Sequence, residues 1–289
     1  MAGDGAISIR EATTADFGRV EHFYREQDFG PTSPGWTDWK YSTRADGKAR
    51  VFLAETDGRL VGTLSYLPRR FSAPGGTIIS VIEHDDVLVH PDYRKRGVFA
   101  SISEFARARV EGPRIAYPNA QSIRLGLRSG WSILGPRKEW RFPVRIGELP
   151  SVRSGPTQRR LLNVLSRLYA SALLPARPSG ISLEEIQRFD HDYTIPDVLH
   201  GQRSATYLNW RFFEDRSRDY HVLGFRLGAD NLGYCAYRGD TSARVYDFVA
   251  SRHERACMRA LVEHCRGRGC TQLIFSGVGL RLHRLGFFR

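Results

Sequence analysis

The sequence predicts an α/β protein of the α+β kind, with a mixed, mostly antiparallel sheet flanked by helices and built twice in succession. Three observations predict it. A hairpin-type pair of strand patterns surrounds Asp57-Gly58, a third strand pattern runs through a basic glycine turn into a helix pattern near residue 100, and landmarks of the first half recur in order in the second.

Taken in order, Ile7-Ser8-Ile9-Arg10 alternates like a short strand, and Thr13 or Thr14 can cap a helix whose Val20, Phe23 and Tyr24 share one face. Residues 30–50 are rich in Gly, Pro, Ser and Asp but carry Trp36 and Trp39, so they read as a loop with aromatic anchors. Val51 to Ala54 and Leu60 to Tyr66 form the hairpin. The next strand runs from Thr77 to Val89, His90-Pro91 ends it, and a helix follows through Ile102, Phe105 and Ala106. A short strand at Ile115-Ala116-Tyr117, a helix from Gln121 to Ser129 and strand material from Trp131 to Phe142 complete a first domain, residues 1–150.

Residues 151–180 shift to Ser, Pro, Arg and Leu and read as a linker. It carries a basic amphipathic helix between Thr157 and Leu173 that displays Leu161, Leu162, Val164, Leu165, Leu168 and Tyr169. Packing of that stripe against the protein is the expectation, with peripheral membrane contact through 157–173 as the alternative. In the second domain, 181–289, Trp210-Arg211-Phe212 echoes Trp39-Lys40-Tyr41, and Gly233 follows at the spacing of Gly62. Asp247-Phe248-Val249-Ala250 echoes Asp86-Val87-Leu88-Val89, and Gly286-Phe287 echoes Gly130-Trp131. The basic glycine turn has no counterpart, so the second module is a degenerate copy.

The formal charge is +12 and the pI about 9.9, a surface that attracts polyanions, yet the arginines are scattered and a dedicated nucleic-acid face is not expected. Cys235, Cys257, Cys265 and Cys270 lack C-x-x-C spacing and read as reduced thiols, and no metal site is expected. With no signal-peptide pattern at the start and no apolar run of bilayer length, a cytoplasmic protein is expected.

The strongest signal is Val87-Leu88-Val89-His90-Pro91-Asp92-Tyr93-Arg94-Lys95-Arg96-Gly97-Val98-Phe99-Ala100. A strand here delivers a basic turn to a helix N-terminus, where outward backbone N–H groups and the helix dipole suit a pyrophosphate. Gly97 lets the backbone approach closely, and Arg94, Lys95 and Arg96 add charge. The stretch resembles the acyl-CoA loop of the GNAT acyltransferase superfamily, [Q/R]-x-x-G-x-[G/A] after a strand reading V-x-P-x-Y-R. Arg94 and Gly97 match, while Phe99 stands where Gly or Ala is usual. I-R-E-A-T near the start, the D-G hairpin, Asn119, Ser122 and Gly130-Trp131 support the likeness, which is good over 7–142 and faint over 190–289.

The resemblance implies a fold with a splayed strand, in which Val87, Leu88 and Val89 hold the pantetheine arm by main chain and Lys95, Arg96, Gly97, Val98, Phe99 and Ala100 hold the pyrophosphate of acetyl-CoA or another acyl-CoA. It places Asn119 and Ser122 among the cofactor residues. It implies transfer to a primary amine of a small molecule or amino sugar, which needs a base for the amine proton. The glutamate that many members place four residues before the pantetheine strand is Glu83 here, with His84 and Asp86 as further candidates. By alternation Glu83, Asp85 and Val87 share one face of the strand and His84 and Asp86 the other.

The family's tyrosine acid is replaced by Gly126, leaving Tyr117 or Ser122 to protonate the departing thiolate. Trp36 and Trp39 are candidate walls of the acceptor pocket, although the echo of Trp39 at Trp210 also suits a structural role. Two other readings fit the same features. One is a Fem-type transferase that uses aminoacyl-tRNA, and the other is a non-catalytic module that binds acyl-CoA or an anionic surface.

Overall fold

The computed structural model describes residues 6–30, 33–120, 122–174, 180–277, 282–285 and 287–288. Gln121, the expected start of the helix to Ser129, and Gly286 of the Gly286-Phe287 pair lie outside them.

In chain order the elements are β1 (Ser8–Glu11), α1 (Phe17–Glu26), α2 (Trp36–Tyr41), β2 (Arg50–Thr56), β3 (Arg59–Ser72), β4 (Ile78–Val89), α3 (Val98–Arg107), β5 (Arg114–Ala116), α4 (Ile123–Arg128) and β6 (Lys138–Pro143). There follow α5 (Pro156–Leu173), β7 (Ile181–Glu185), β8 (His200–Gly201), α6 (Ala205–Phe212), β9 (His221–Leu227), β10 (Asp230–Arg238), β11 (Ser242–Ala250), α7 (Glu254–Gly267) and β12 (Gln272–Gly277). The chain divides into two compact units, one of residues 1–131 and 189–218, the other of 132–188 and 219–289.

The sheet of the first unit runs β1-β2-β3-β4-β5, with β8 paired to the far end of β3. Every pairing is antiparallel except β4 with β5. Period-two alternation divides its core into two layers. Phe52, Ala54, Val61 and Leu64 meet Val98, Ile102 and Ala106 of α3 on one face. Val51, Leu53, Leu60 and Leu67 meet Val20, Phe23 and Tyr24 of α1 and Trp36 and Tyr41 of α2 on the other.

The sheet of the second unit runs β7-β9-β10-β11-β12-β6, again with one parallel pair, β11 with β12. Both sheets share a detail finer than strand order. Val61 and Leu232 are each the unmatched residue of a bulge in the second strand of the hairpin, one position before the echoed glycines Gly62 and Gly233. The mixed, mostly antiparallel α/β class thus holds in both units, and the repeat is visible in register as well as in sequence.

The unit borders depart from those expected at residues 150 and 180. β6 precedes residue 150, yet it pairs with β12, and its Trp140 and Phe142 pack with Leu273, Phe275 and Phe287 in the core of the second unit. A strand goes where its buried face finds a matching core, and the compositional change at Ser151 does not mark that choice. Conversely, α6 belongs to the first unit, where Trp210 meets Trp39. Their rings stack 4.7 Å apart with planes 11° from parallel. Each indole N–H donates to the other residue's carbonyl, Trp39 Nε1 to Trp210 O at 3.0 Å and Trp210 Nε1 to Trp39 O at 3.2 Å. The echoed motif is therefore a reciprocal clasp.

The expectation that the apolar stripe of α5 packs against the protein is overturned. The inward side of α5 carries Ser166 and Ala170, both fully buried. Ser166 Oγ accepts from Ile146 N and Asn163 Oδ1 from Gly147 N, Ala170 joins the core and the Tyr169 ring meets Phe142, while Leu161, Val164, Leu165 and Leu168 of the stripe are exposed. The four cysteines are buried thiols. Among the described residues no helix is long and apolar enough to cross a membrane.

Candidate functional site

The site forms where β4 parts from β5. The parallel pairing consists of Ile82 with Arg114, Glu83 with Ile115 and His84 with Ala116, and it stops there. On its other edge β4 stays paired to β3, through Thr63 with Leu88 and Gly62 with Val89. Among the described residues, the β5-side edge of Val87, Leu88 and Val89 therefore carries no strand. Unpaired backbone on an edge is a template for an extended ligand.

The turn beyond it is shaped for an anion. Lys95 and Gly97 both take positive φ, 64° and 80°. Gly97 caps α3 in the left-handed region, and nothing lies within 4 Å of where its side chain would be. The first helical bond is Ser101 N to Gly97 O, which leaves the amides of Val98, Phe99 and Ala100 ahead of it. Val98 anchors this end by burying its side chain beside Ile102 and Ala106, while Lys95, Arg96 and Gly97 are exposed. Arg94 Nε donates to Val89 O at 3.2 Å, tying the turn back to the strand. The Arg96 guanidinium lies over the Tyr93 ring. An open strand edge that leads into a basic turn with amides ahead of the first helical bond suits an extended ligand that ends in an anion.

The faces of β4 differ from simple alternation. A bulge shifts the register between Thr63 and Ser65, and Asp86 takes φ +46°. One extra residue reverses every side chain beyond it. Asp85 and Asp86 consequently both reach Lys40 Nζ, at 2.9 and 2.6 Å. Val87 turns to the α3 side with Ile82, and Leu88 to the α1–α2 side. This corrects the expected grouping of Val87 with Glu83 and of Asp86 with His84.

Glu83 sits between two arginines that the sequence reading missed. Arg44 Nη2 lies 3.4 Å and Arg69 Nε 3.6 Å from its Oε2, and the Glu83 side chain is 19% exposed. Arg69 also pairs with Asp46 and lies over the Tyr207 ring, and Arg44 lies over Trp210. Burial raises the Glu83 pKa above the ordinary carboxylate value, and the two arginines only partly offset it. Asp86 is pushed up by burial too, yet it is tied by Lys40, Tyr41 OH at 2.8 Å and Ser65 Oγ at 3.3 Å. Burial would also raise Asp85, but Lys40 outweighs it and holds that carboxylate low. Among the expected bases, Glu83 combines a raised pKa with partial access.

His84 lies on the opposite face among Tyr66, Phe99 and Trp131, with ring centroids 5.5, 6.4 and 5.5 Å away. Phe99, the residue that departs from the cofactor pattern, thus spends its ring on His84. Burial lowers the His84 pKa to about 4, so the imidazole is neutral at pH 7. A depressed folded pKa adds stability above the unfolded value, and that stability is lost as pH falls from about 6.5 towards about 4. His84→Phe should remove a loss of roughly 3 kcal/mol over that window, measured as the difference in pH dependence of urea unfolding between parent and variant.

Tyr117 follows β5 directly and is 57% exposed. Asn119 and Ser122 bond to one another, Ser122 N and Oγ donating to Asn119 Oδ1 at 2.9 and 3.0 Å, just ahead of α4. Trp36 is 5% exposed in the core with Tyr24 and Tyr41, and Trp39 is stacked on Trp210. Both indoles are used in packing, which corrects their reading as pocket walls. Lys40, Arg44 and Arg69 are the polar groups on that side instead. Arg69 could have been found from the hairpin register, because Leu67 faces Glu83 across the ladder and Arg69 is two residues on, on the same face.

Residues 8–134 match the family model described as an acetyltransferase (GNAT) domain. No curated protein matches the sequence. Among solved structures the chain is similar to a conserved protein of Enterococcus faecalis V583 described as a probable N-acyltransferase, with TM-score 0.63 and 11% identity over 97% of this chain and 68% of that one. It is similar to a GCN5-related N-acetyltransferase from Kribbella flavida, with TM-score 0.57 and 19% identity over 99% and 67% of the two chains. It is also similar to a tandem GNAT protein from the clavulanic acid biosynthesis pathway, with TM-score 0.54 and 15% identity over 98% and 95%. At these identities the likeness is one of fold. The chain spans about two thirds of the length of the first two and nearly all of the third.

Proposed function

Because this chain carries a GNAT acetyltransferase domain at residues 8–134, we propose that it is an N-acyltransferase that moves an acyl group from acetyl-CoA or another acyl-CoA to a primary amine of a small molecule or amino sugar. The observation that carries the reading is the open edge at Val87–Val89 leading straight into the amide-lined turn at Lys95–Ala100. Acyl-CoA supplies the activated acyl carbonyl when bound.

The main chain of Val87, Leu88 and Val89 extends the sheet along the pantetheine arm. The amides of Val98, Phe99 and Ala100, with the charges of Arg94, Lys95 and Arg96, fix the pyrophosphate. Glu83 accepts the amine proton, directly or through a water, and its raised pKa brings it nearer the proton it must take. The Arg44 and Arg69 pair positions that carboxylate. Tyr117, exposed just after β5, or Ser122 protonates the departing thiolate.

Calorimetric titration with acetyl-CoA, longer acyl-CoAs and free CoA tests the reading before any acceptor is chosen. The double variant Arg96→Glu with Gly97→Asp places two carboxylates in the anion cradle and should weaken binding about a hundredfold or more, the equivalent of one or two charge-assisted hydrogen bonds. Absence of binding by the folded parent protein overturns the proposal.

A further inference from the structure

The second unit carries a surface that acyl transfer does not use. On α5, Leu161 and Leu168 are 60% and 59% exposed, and Val164 and Leu165 are 47% exposed. At helical spacing these four form one continuous outward stripe over two turns, with Tyr169 at its margin. A stripe of this kind on an exposed helix marks a contact with something apolar.

The charges beside it say what that something is. Helix α5 contains Arg159, Arg160 and Arg167 and no Asp or Glu. Arg160 and Arg167 stand four residues before and three after Val164, so both lie along one edge of the stripe, and both are exposed. Arg266 of α7, within reach of the charge of Arg167, buries its Nε and Nη2 without a hydrogen-bond partner among the described residues. Burial, then the charges of Arg167 and Arg259, lower its pKa, so three guanidinium groups act on one another with Glu263 as the opposing charge. An apolar stripe edged by the exposed Arg160 and Arg167, on a helix without a carboxylate, complements a layer in which phosphates border hydrocarbon. A second copy of the chain would bring the same arginine edge and a net charge of +12 against itself.

We propose that the second unit docks on anionic lipid bilayers through α5, with Leu161, Val164, Leu165 and Leu168 entering the headgroup–acyl boundary and the exposed Arg160 and Arg167 meeting lipid phosphates. The site is separate from the β4–β5 cleft and does not depend on the acyltransfer reading.

The test is flotation of the full chain with vesicles of phosphatidylcholine alone and of phosphatidylcholine mixed with phosphatidylglycerol, at low and high salt. The chain should bind the mixed vesicles, bind the neutral ones weakly, and bind less at high salt. Leu161→Ser with Leu165→Ser, and separately Arg160→Gln with Arg167→Gln, should each lower the bound fraction about tenfold or more. All four positions are exposed, so unchanged melting of the variants shows that the fold is intact. No binding by the parent overturns the proposal. So does loss in the arginine variant alone, which leaves only diffuse charge attraction. So does concentration-dependent dimerisation that the leucine variant abolishes, which assigns the stripe to a second copy.

Discussion

Glu83→Gln is expected to lower kcat about a hundred- to ten-thousand-fold, the usual range for removing a positioned base, while affinity for acyl-CoA stays as in the parent. The cofactor contacts proposed are main-chain contacts at Val87–Val89 and Lys95–Ala100, which the substitution leaves in place. The pH profile separates this role from a structural one. A base acts ionised, and burial raises the Glu83 pKa, so the parent rate should rise with pH through a range above that of an ordinary carboxylate. In Glu83→Gln that limb should vanish. Gln also leaves Arg44 and Arg69 one anion short, which costs stability, so rates are compared well below the melting temperature of the variant. Unchanged kcat would reduce Glu83 to an ion-pair partner and leave His84 and Asp86 as the remaining candidates.

How much of this was legible depends on the range over which each feature is decided. The basic glycine turn and its helix could be read because Pro91 to Ala100 carry their own instructions: a proline after the strand, a glycine that accepts positive φ and an apolar anchor at Val98. The repeat was legible for the same reason, since Trp39 and Trp210 lie in the helices ahead of two hairpins and Gly62 and Gly233 hold equivalent places in those hairpins. What that reading did not reveal is that the two tryptophans clasp each other. Nor could the fate of β6 be read, because Trp140 and Phe142 fit either of two cores until both are assembled. The bulge at Asp86 escaped notice because a non-glycine residue at φ +46° leaves no compositional mark, and that single residue decides which carboxylates share a face. The stripe of α5 looked like buried surface because its period is that of a packed helix, whereas Ser166 and Asn163 hold the helix from the other side.

Gly233→Ala should be the most destabilising single change in the second unit, costing more than about 4 kcal/mol or leaving the chain insoluble. Gly233 takes φ +144°, a region that residues with a Cβ rarely enter, and its added carbon would stand 1.9 Å from Val249 O and 2.7 Å from Val249 C. Those atoms are backbone, in the strand paired to Gly233 through Gly233 with Ala250 and Tyr234 with Val249. They cannot move without breaking the β10–β11 ladder on which Val249, Tyr234 and Cys235 are buried. The counterpart Gly62→Ala meets a side chain, Val98 Cγ1 at 3.0 Å, which can yield by rotation, so it should cost only about 1–2 kcal/mol. Urea unfolding followed by near-ultraviolet circular dichroism reads both variants. Equal costs at the two positions would mean that the echoed glycines serve one common packing purpose. The expected inequality would mean that the second copy has closed its hairpin against its own backbone at the place where the first leaves room for the helix that presents its cofactor turn.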